Sequence, residues 1–206
     1  MSEISTKNNK FRWMENIFSS PFVYNLKCRL CSQLNPWPPL DIETYLKEHK
    51  VLNVGCGHKN DYFDETWPAT MIGFDISQAF IAHIKRKSPG SYYIGSADQI
   101  PFPDNYFDTS LIFFVLHHLP FDMEKAMQEV KRVTRHHVII YDHKLNDHIL
   151  KNIIQRIYWT IFDSGKKYNT IEEWHTLFED FEIIEEQYTG GLFENISQFI
   201  LKIKTS

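Results

Sequence analysis

From residue 51 onward, short apolar runs alternate with amphipathic stretches, and this alternation restricts the fold more than any other feature of the chain. The runs at 51–54, 70–74, 92–94, 108–115 and 138–141 read as strands; the first stops at Gly55 and the second at Asp75. Ser77 caps a helix that reaches Lys87, with Phe80, Ile81 and Ile84 on its inner face. Lys85, Arg86 and Lys87 fill its last turn, where the helix dipole favours cations. Asp122 caps a second helix running to Arg135, with Met123, Ala126, Met127, Val130 and Val133 in one apolar stripe. Strands separated by helices pair in parallel, and the helices cover both faces of the sheet. Ligands of such sheets lie beyond the carboxyl ends of the strands, where the strand order reverses, so functional residues are expected at those tips.

Both flanks add elements to this frame. Phe11, Met14 and Phe18, then Phe22, Leu26 and Leu30, fall at helical spacing, broken at Pro21. Asn35-Pro36-Trp37-Pro38-Pro39 cannot continue a helix. Residues 1–40 are therefore expected to form an N-terminal helical lid segment, and 41–206 a single domain that opens with a short helix at 41–50. After the fifth strand, 145–162 reads as helix, with Ile149, Ile153, Ile154, Ile157 and Ile161 apolar and Tyr158, Trp159 and Phe162 added. An insertion at about 143–170 is expected to act as a second lid. A helix at 170–179 and two closing strands at 181–188 and 197–203, turned by Gly190-Gly191, complete the chain.

With 206 residues there is room for one sizeable core. Lys and Arg number 22 against 26 Asp and Glu, and a net charge of -4 gives no long-range attraction for nucleic acid. No stretch approaches the ~20 apolar residues needed to span a bilayer. The first residues lack the apolar core of a signal peptide. A cytoplasmic protein with a small-molecule partner, and without nucleic acid or membrane partners, is expected; nothing in the chain specifies an oligomeric state. Cys28, Cys31 and Cys56 are an odd number for a disulfide framework, and Cys28-x-x-Cys31 has no second pair to complete a metal site. No metal is expected.

The chemistry-bearing residues collect at the strand tips. Gly55-Cys56-Gly57 lets the chain turn sharply after a buried strand and leaves backbone bare for a ligand. Asp75 ends the second strand, where a carboxylate can accept bonds from both hydroxyls of a ribose. Asp98 follows the third strand, and His117-His118 follow the fourth. The nicotinamide-binding fingerprint wants a third glycine three positions after the second, and Asn60 stands there instead.

In order and spacing, VLNVGCG at 51–57, GFDIS at 73–77, ADQIPFPDNYFD at 97–108 and LHHL at 116–119 resemble the class I S-adenosylmethionine-dependent methyltransferases. The likeness is to the small-molecule group that includes the ubiquinone-pathway enzymes. EVKRVTR at 129–135 and the strand after it are similar to a fifth family segment. The resemblance implies an α/β, Rossmann-like, doubly wound sheet of seven mostly parallel strands with an antiparallel last strand. It implies S-adenosylmethionine as methyl donor and S-adenosylhomocysteine as product. Gly55 and Gly57, with Cys56 between them, would hold the methionine and ribose portion against backbone. Asp75 would bind the ribose hydroxyls and Ile76 would pack on adenine. Asp98, flanked by Ala97 and Gln99, would meet the adenine amino group, and Phe113 would lie under the cofactor near the sulfonium.

Three departures stand out. Asn53 occupies the place of a family acid; it still hydrogen-bonds but has no charge to attract the cofactor ammonium. Lys59 replaces a third glycine, and Arg135-His136-His137 replaces the Pro-Gly turn before the fifth strand. His117 is the expected base or substrate-orienting group. The reading is a methyltransferase acting on a small apolar or aromatic acceptor; the alternative is a protein of this fold that no longer methylates, serving as a binding partner or assisting another reaction.

Overall fold

The computed structural model describes residues 40–57, 70–87, 90–119, 122–146, 148–162, 165–190 and 195–204. The expectations for 1–39, including Cys28 and Cys31, and for Lys59 lie outside the described residues. The elements are β1 (Lys50–Val54), β2 (Thr70–Asp75), α1 (Gln78–Lys87), β3 (Ser91–Ile94), β4 (Phe107–Phe113), α2 (Met123–Val133), β5 (Thr134–His143), α3 (Ile149–Phe162), α4 (Ile171–Leu177), β6 (Phe181–Gly190) and β7 (Asn195–Ile203).

They build one seven-stranded sheet in the order β3-β2-β1-β4-β5-β7-β6. The neighbours from β3 to β5 pair in parallel, whereas β7 is antiparallel to both β5 and β6. Only β7 runs against the rest, so the antiparallel closing strand expected from the sequence is present. The order reverses between β1 and β4, and the tips of β1, β2, β3, β4 and β5 share one edge.

The pleat sends alternate side chains to opposite layers. Leu52, Val54, Ile112, Val138 and Ile140 pack with Met127, Val130 and Val133 of α2 and Trp174 of α4. Val51, Leu111, Phe113, Ile139 and Tyr141 pack with Leu40, Ile42 and Leu46 on the other side. Every member of the α2 stripe read from the sequence is buried.

Several local expectations yield to tertiary contacts. The helix at 41–50 is only a 3-10 turn, Glu43–Tyr45. The Thr109 hydroxyl donates to Tyr45 O at 2.7 Å, and Lys50 N–H donates to Asp108 Oδ2 at 2.9 Å, which draws the chain into β1. A helix this short has little cooperativity to resist them. Asp122 makes no side-chain cap bond; its carbonyl accepts Ala126 N–H at 2.8 Å. β5 begins directly at Thr134, so Arg135-His136-His137 is strand rather than turn. Arg135 Nη1 fixes that start on Asp108 Oδ1 at 2.6 Å. α3 starts at Ile149 and not at 145, because Lys144 bridges Asn169 and Leu145 N–H donates to Asn169 O at 2.9 Å. The insertion after β5 thus leaves and returns at one point. α4 carries a complete capping box between Thr170 and Glu173.

One residue of α2 ties the helix to the loop after β3. Arg132 donates from Nη2 to Ile100 O and from Nη1 to Phe102 O and Asp104 Oδ1, each at 2.8 Å. Glu129 braces the guanidinium and accepts Ile100 N–H at 2.9 Å. This is the physical link between the ADQIPFPDNYFD and EVKRVTR segments. Arg132→Ala is expected to destabilise the fold by on the order of 2–3 kcal/mol, lowering the midpoint of thermal unfolding by roughly 4–12 °C. Calorimetric melting checks it.

Candidate active site

Gly55 and Gly57 both adopt left-handed backbone, φ 69° and 62°. They differ in what surrounds them. A side-chain carbon at Gly55 would lie 2.2 Å from Val115 Cγ2, so the glycine lets the loop after β4 close onto the tip of β1. Among the described residues, a side-chain carbon at Gly57 would meet no atom within 4 Å. That open space adjoins the Asp75 carboxylate, whose Oδ2 accepts Gly57 N–H at 2.8 Å and whose Oδ1 accepts Ser77 N–H at 2.7 Å. Asp75 therefore shapes both the glycine turn and the start of α1, where Ser77 Oγ caps Phe80 N–H at 3.3 Å. Burial pushes its carboxyl above the ordinary value, while the Ser77 and Gly57 amides pull the other way.

The cradle keeps hydrogen-bonding capacity for a ligand. Each Asp75 oxygen is used once by backbone and retains a further lone pair for a hydroxyl. Ile76 is 73% exposed beside it, an aliphatic surface on which a flat base can stack. Asn53 is buried on β1, level with Gly73 and Leu111. Cys56 is buried too, and burial followed by the Asp75 charge pushes its thiol up to about 12, so it is a packing residue and no nucleophile.

Beyond β3, Ala97 packs against the core and Gln99 N–H closes a turn on Ser96 O at 3.0 Å. Asp98 is gripped at Oδ1 by the Ser96 hydroxyl and at Oδ2 by Lys125 Nζ, 3.2 Å away on α2. The Ser96 bond first, then Lys125, holds its carboxyl below the usual range. Asp98 is thus an ionised acceptor already in place at the tip of β3. Gly57→Ala is expected to fold, at a strain of about 1–2 kcal/mol, yet to lose donor binding because its methyl enters the open space. Gly55→Ala is expected to lose on the order of 3 kcal/mol of stability from strain and overlap. Denaturant titration and calorimetry of the two variants separate these effects.

The fourth and fifth strand tips carry a second cluster. Phe113 is not laid open at the crevice: its ring packs in the core and stacks on Tyr141, centroids 4.4 Å apart. Phe114, in left-handed backbone at φ 56°, turns the chain instead and anchors on Tyr141 O at 2.7 Å. His117 is fully buried, and its Nδ1 lies 2.6 Å from Asp142 Oδ1. Asp142 also accepts the backbone N–H of His117 at 3.3 Å and of His143 at 2.7 Å. Burial alone would raise the Asp142 carboxyl; the charge and hydrogen bond of His117, with His143, more than offset this and hold it below the ordinary value. Being ionised, it can only accept, so His117 Nδ1 carries the proton. His118 is exposed, with its ring 4.0 Å from that of His117.

The insertion closes over this pair. Lys166 and Lys167 N–H donate to His117 O at 2.8 and 3.1 Å. Tyr168 stacks on Trp159 at 4.0 Å and lies parallel to His117 at 5.7 Å. His143 sits among Phe114, His117 and Trp159. Gly165 is required here, since a side-chain carbon would fall 2.7 Å from His117 Cδ2 and 2.2 Å from Tyr168 Oη. Asp142, Gly165 and Tyr168 escaped the sequence reading as neighbours of His117. For Asp142 the available signal was an acid at the end of an apolar strand, the same signal that marked Asp75.

A methyltransferase-domain family model matches residues 52–141, the span that holds all of these tips except Asp142 and the insertion. Over that span the chain is similar to methyltransferase domains. The chain is 27% identical over 142 residues to the uncharacterized methyltransferase YcgJ of Bacillus subtilis, an alignment covering 64% of this chain and 55% of YcgJ. It therefore spans about half the length of that relative. The YcgJ crystal structure superposes with a TM-score of 0.66, 17% identity, and coverage of 81% of this chain and 97% of the other. An S-adenosylmethionine-dependent methyltransferase from Methanosarcina mazei gives 0.67, 19%, 84% and 100%. Magnesium protoporphyrin IX methyltransferase from Synechocystis PCC 6803, solved with bound S-adenosylhomocysteine, gives 0.62, 13%, 98% and 90%. At these identities the structures speak for the fold alone.

Proposed function

We propose that the domain is an S-adenosylmethionine-dependent methyltransferase acting on a small acceptor with an apolar or aromatic body. The observation that carries the reading is the cradle at the tip of β1: left-handed Gly57 facing open space, with the Asp75 carboxylate fixed at its side. Asp75 would take the ribose hydroxyls, Ile76 and Asp98 the adenine, and the bare backbone at 55–57 the amino-acid portion. Asn53 lies on the strand leading into that backbone and offers an amide rather than a charge. The bound donor supplies a methyl group on a sulfonium, which is already a good leaving group.

What remains for the protein is to orient the acceptor, exclude water and, for an oxygen or carbon acid, remove a proton. Orientation accounts for on the order of 7–11 kcal/mol in well-aligned reactions. Phe114, His143, Trp159 and Tyr168 pack together at the tips of β4 and β5, an aromatic surrounding in keeping with an apolar acceptor. His117, its ring fixed at Nδ1 by Asp142, is the group that would take that proton or orient the acceptor. Titration calorimetry with S-adenosylmethionine tests the reading: saturable binding that the product S-adenosylhomocysteine displaces is expected. No heat and no thermal shift at millimolar donor would sink it. Among the described residues no helix is long and apolar enough to cross a membrane, and no group of His, Cys, Asp and Glu is arranged to hold a metal ion.

A further inference from the structure

α3 turns two polar side chains inward, Gln155 and Trp159, and both are fully buried. Four residues apart, they stand side by side on one helix face, with Cβ atoms about 5–6 Å apart. Trp159 stacks on Tyr168 with centroids 4.0 Å apart and tilts against His143 at 5.2 Å. His117 lies parallel to the same tyrosine at 5.7 Å and 4.8 Å from the same histidine. The shared face of α3 is therefore the one that meets the rings around His117.

Each of the two has a donor left over. An indole nitrogen can only donate. The Gln155 amide is oriented by Asn195, whose Nδ2 donates to Gln155 Oε1 at 3.3 Å, so Nε2 is the end that remains. Among the described residues, Trp159 Nε1 and Gln155 Nε2 are shut off from solvent and meet no acceptor. Native interiors leave few buried polar atoms unpaired, and each one calls for a reason. Two unpaired donors on successive turns of one helix, beside the rings that enclose His117, point to a ligand oxygen.

We propose that Gln155 and Trp159 hold the methyl acceptor by an uncharged carbonyl oxygen, with Nε2 and Nε1 each donating one hydrogen bond to it. Such an oxygen has two lone pairs for the two donors. A carboxylate would bring a second anion into an interior that already holds ionised Asp142 against His117, and neutral donors offset little of the cost of burying it. The acceptor is thus a ketone, ester or amide on an apolar body. The inference rests on the methyl-transfer reading where it names the ligand as the acceptor; the two hydrogen bonds are tested without turnover.

The chain has five tryptophans, so its indole N–H resonances are few. Trp159→Phe and Trp174→Phe identify two of them by disappearance. Trp174 is the internal control: its indole nitrogen is also buried without a partner, but within the hydrophobic layer under α4. The full chain, with millimolar S-adenosylhomocysteine, is titrated with acetophenone, methyl benzoate and benzamide, then with ethylbenzene and with benzoate. A saturable downfield shift of the Trp159 indole proton is expected with at least one carbonyl probe and not with ethylbenzene, while Trp174 stays in place. Gln155→Met removes the unpaired donor at similar volume. It is expected to weaken that probe roughly 3- to 10-fold, with the melting temperature and the affinity for S-adenosylhomocysteine unchanged. A lowered melting temperature with unaltered probe affinity makes Gln155 a packing residue and overturns the proposal. A Trp159 resonance that ignores all three carbonyl probes, or moves as far with ethylbenzene, overturns it too. A response to benzoate alone overturns it in favour of an anionic acceptor. A carbonyl-specific shift in a chain that does not bind S-adenosylhomocysteine sinks the methyl-transfer reading and leaves the hydrogen bonds standing; S-adenosylhomocysteine binding without the shift does the reverse.

Discussion

Asp75→Ala is expected to weaken S-adenosylmethionine binding by roughly 100- to 10,000-fold, since hydrogen bonds to a charged acceptor contribute about 1.5–3 kcal/mol each and a ribose offers two hydroxyls. The geometry makes the conservative variant informative as well. Both carboxylate oxygens accept backbone N–H groups, Gly57 on one and Ser77 on the other. Asp75→Asn would turn an NH2 group toward one of these donors, so the amide repels a partner as well as losing its charge. It is therefore expected to behave much like Asp75→Ala in donor binding, against the usual mildness of Asp→Asn changes. Unfolding should move less than binding, because each freed amide sits at the ligand-facing edge and can be hydrated. Calorimetry with S-adenosylhomocysteine and thermal melts of both variants give the two quantities. Unchanged affinity in either variant would remove Asp75 from the ribose site.

The contrast between Asp75 and Asp142 shows what a sequence of this kind displays. Parallel strands buried on both faces read as apolar runs, and their ends are marked by the first glycine or acid, so Gly55, Gly57 and Asp75 were legible with their positions. The closing β6–β7 pair was equally legible. Partnership was not: that Asp142 holds His117 depends on β5 lying beside β4, a lateral relation that no spacing along the chain encodes. The setting of Phe113 was hidden for a related reason. It ends β4 on the face of Leu111 and stacks on Tyr141 of the neighbouring strand, while Phe114, in left-handed backbone unusual outside glycine, packs against the same cluster. The helix expected at 41–50 and the cap expected at Asp122 were lost to competition from Thr109, Asp108 and the local chain path. Arg132 was visible only as one basic residue in a helix end, although it carries the loop that presents Asp98.

His117→Ala is expected to reduce turnover by about 10²–10⁴-fold, the usual contribution of a positioned proton-transfer group, with donor affinity nearly unchanged, because the cradle lies on β1 and β2. Asp142→Ala is expected to be the more damaging to the fold. It strips the partner from a fully buried imidazole and from the His117 and His143 amides, and breaking a buried pair on one side costs about 3–5 kcal/mol. The acid limb of stability tells the two roles apart. The folded Asp142 carboxyl sits below its ordinary value of 3.8, so its stabilisation is complete above that pH and is lost as pH falls toward the folded value. Asp142→Asn is expected to remove this acid-dependent portion and, by withdrawing the charge that orients the ring, to lower kcat while leaving KM for the donor in place. A His117→Ala protein with full turnover and a lowered melting temperature would show that the pair fastens β4, β5 and the insertion together and takes no part in proton transfer.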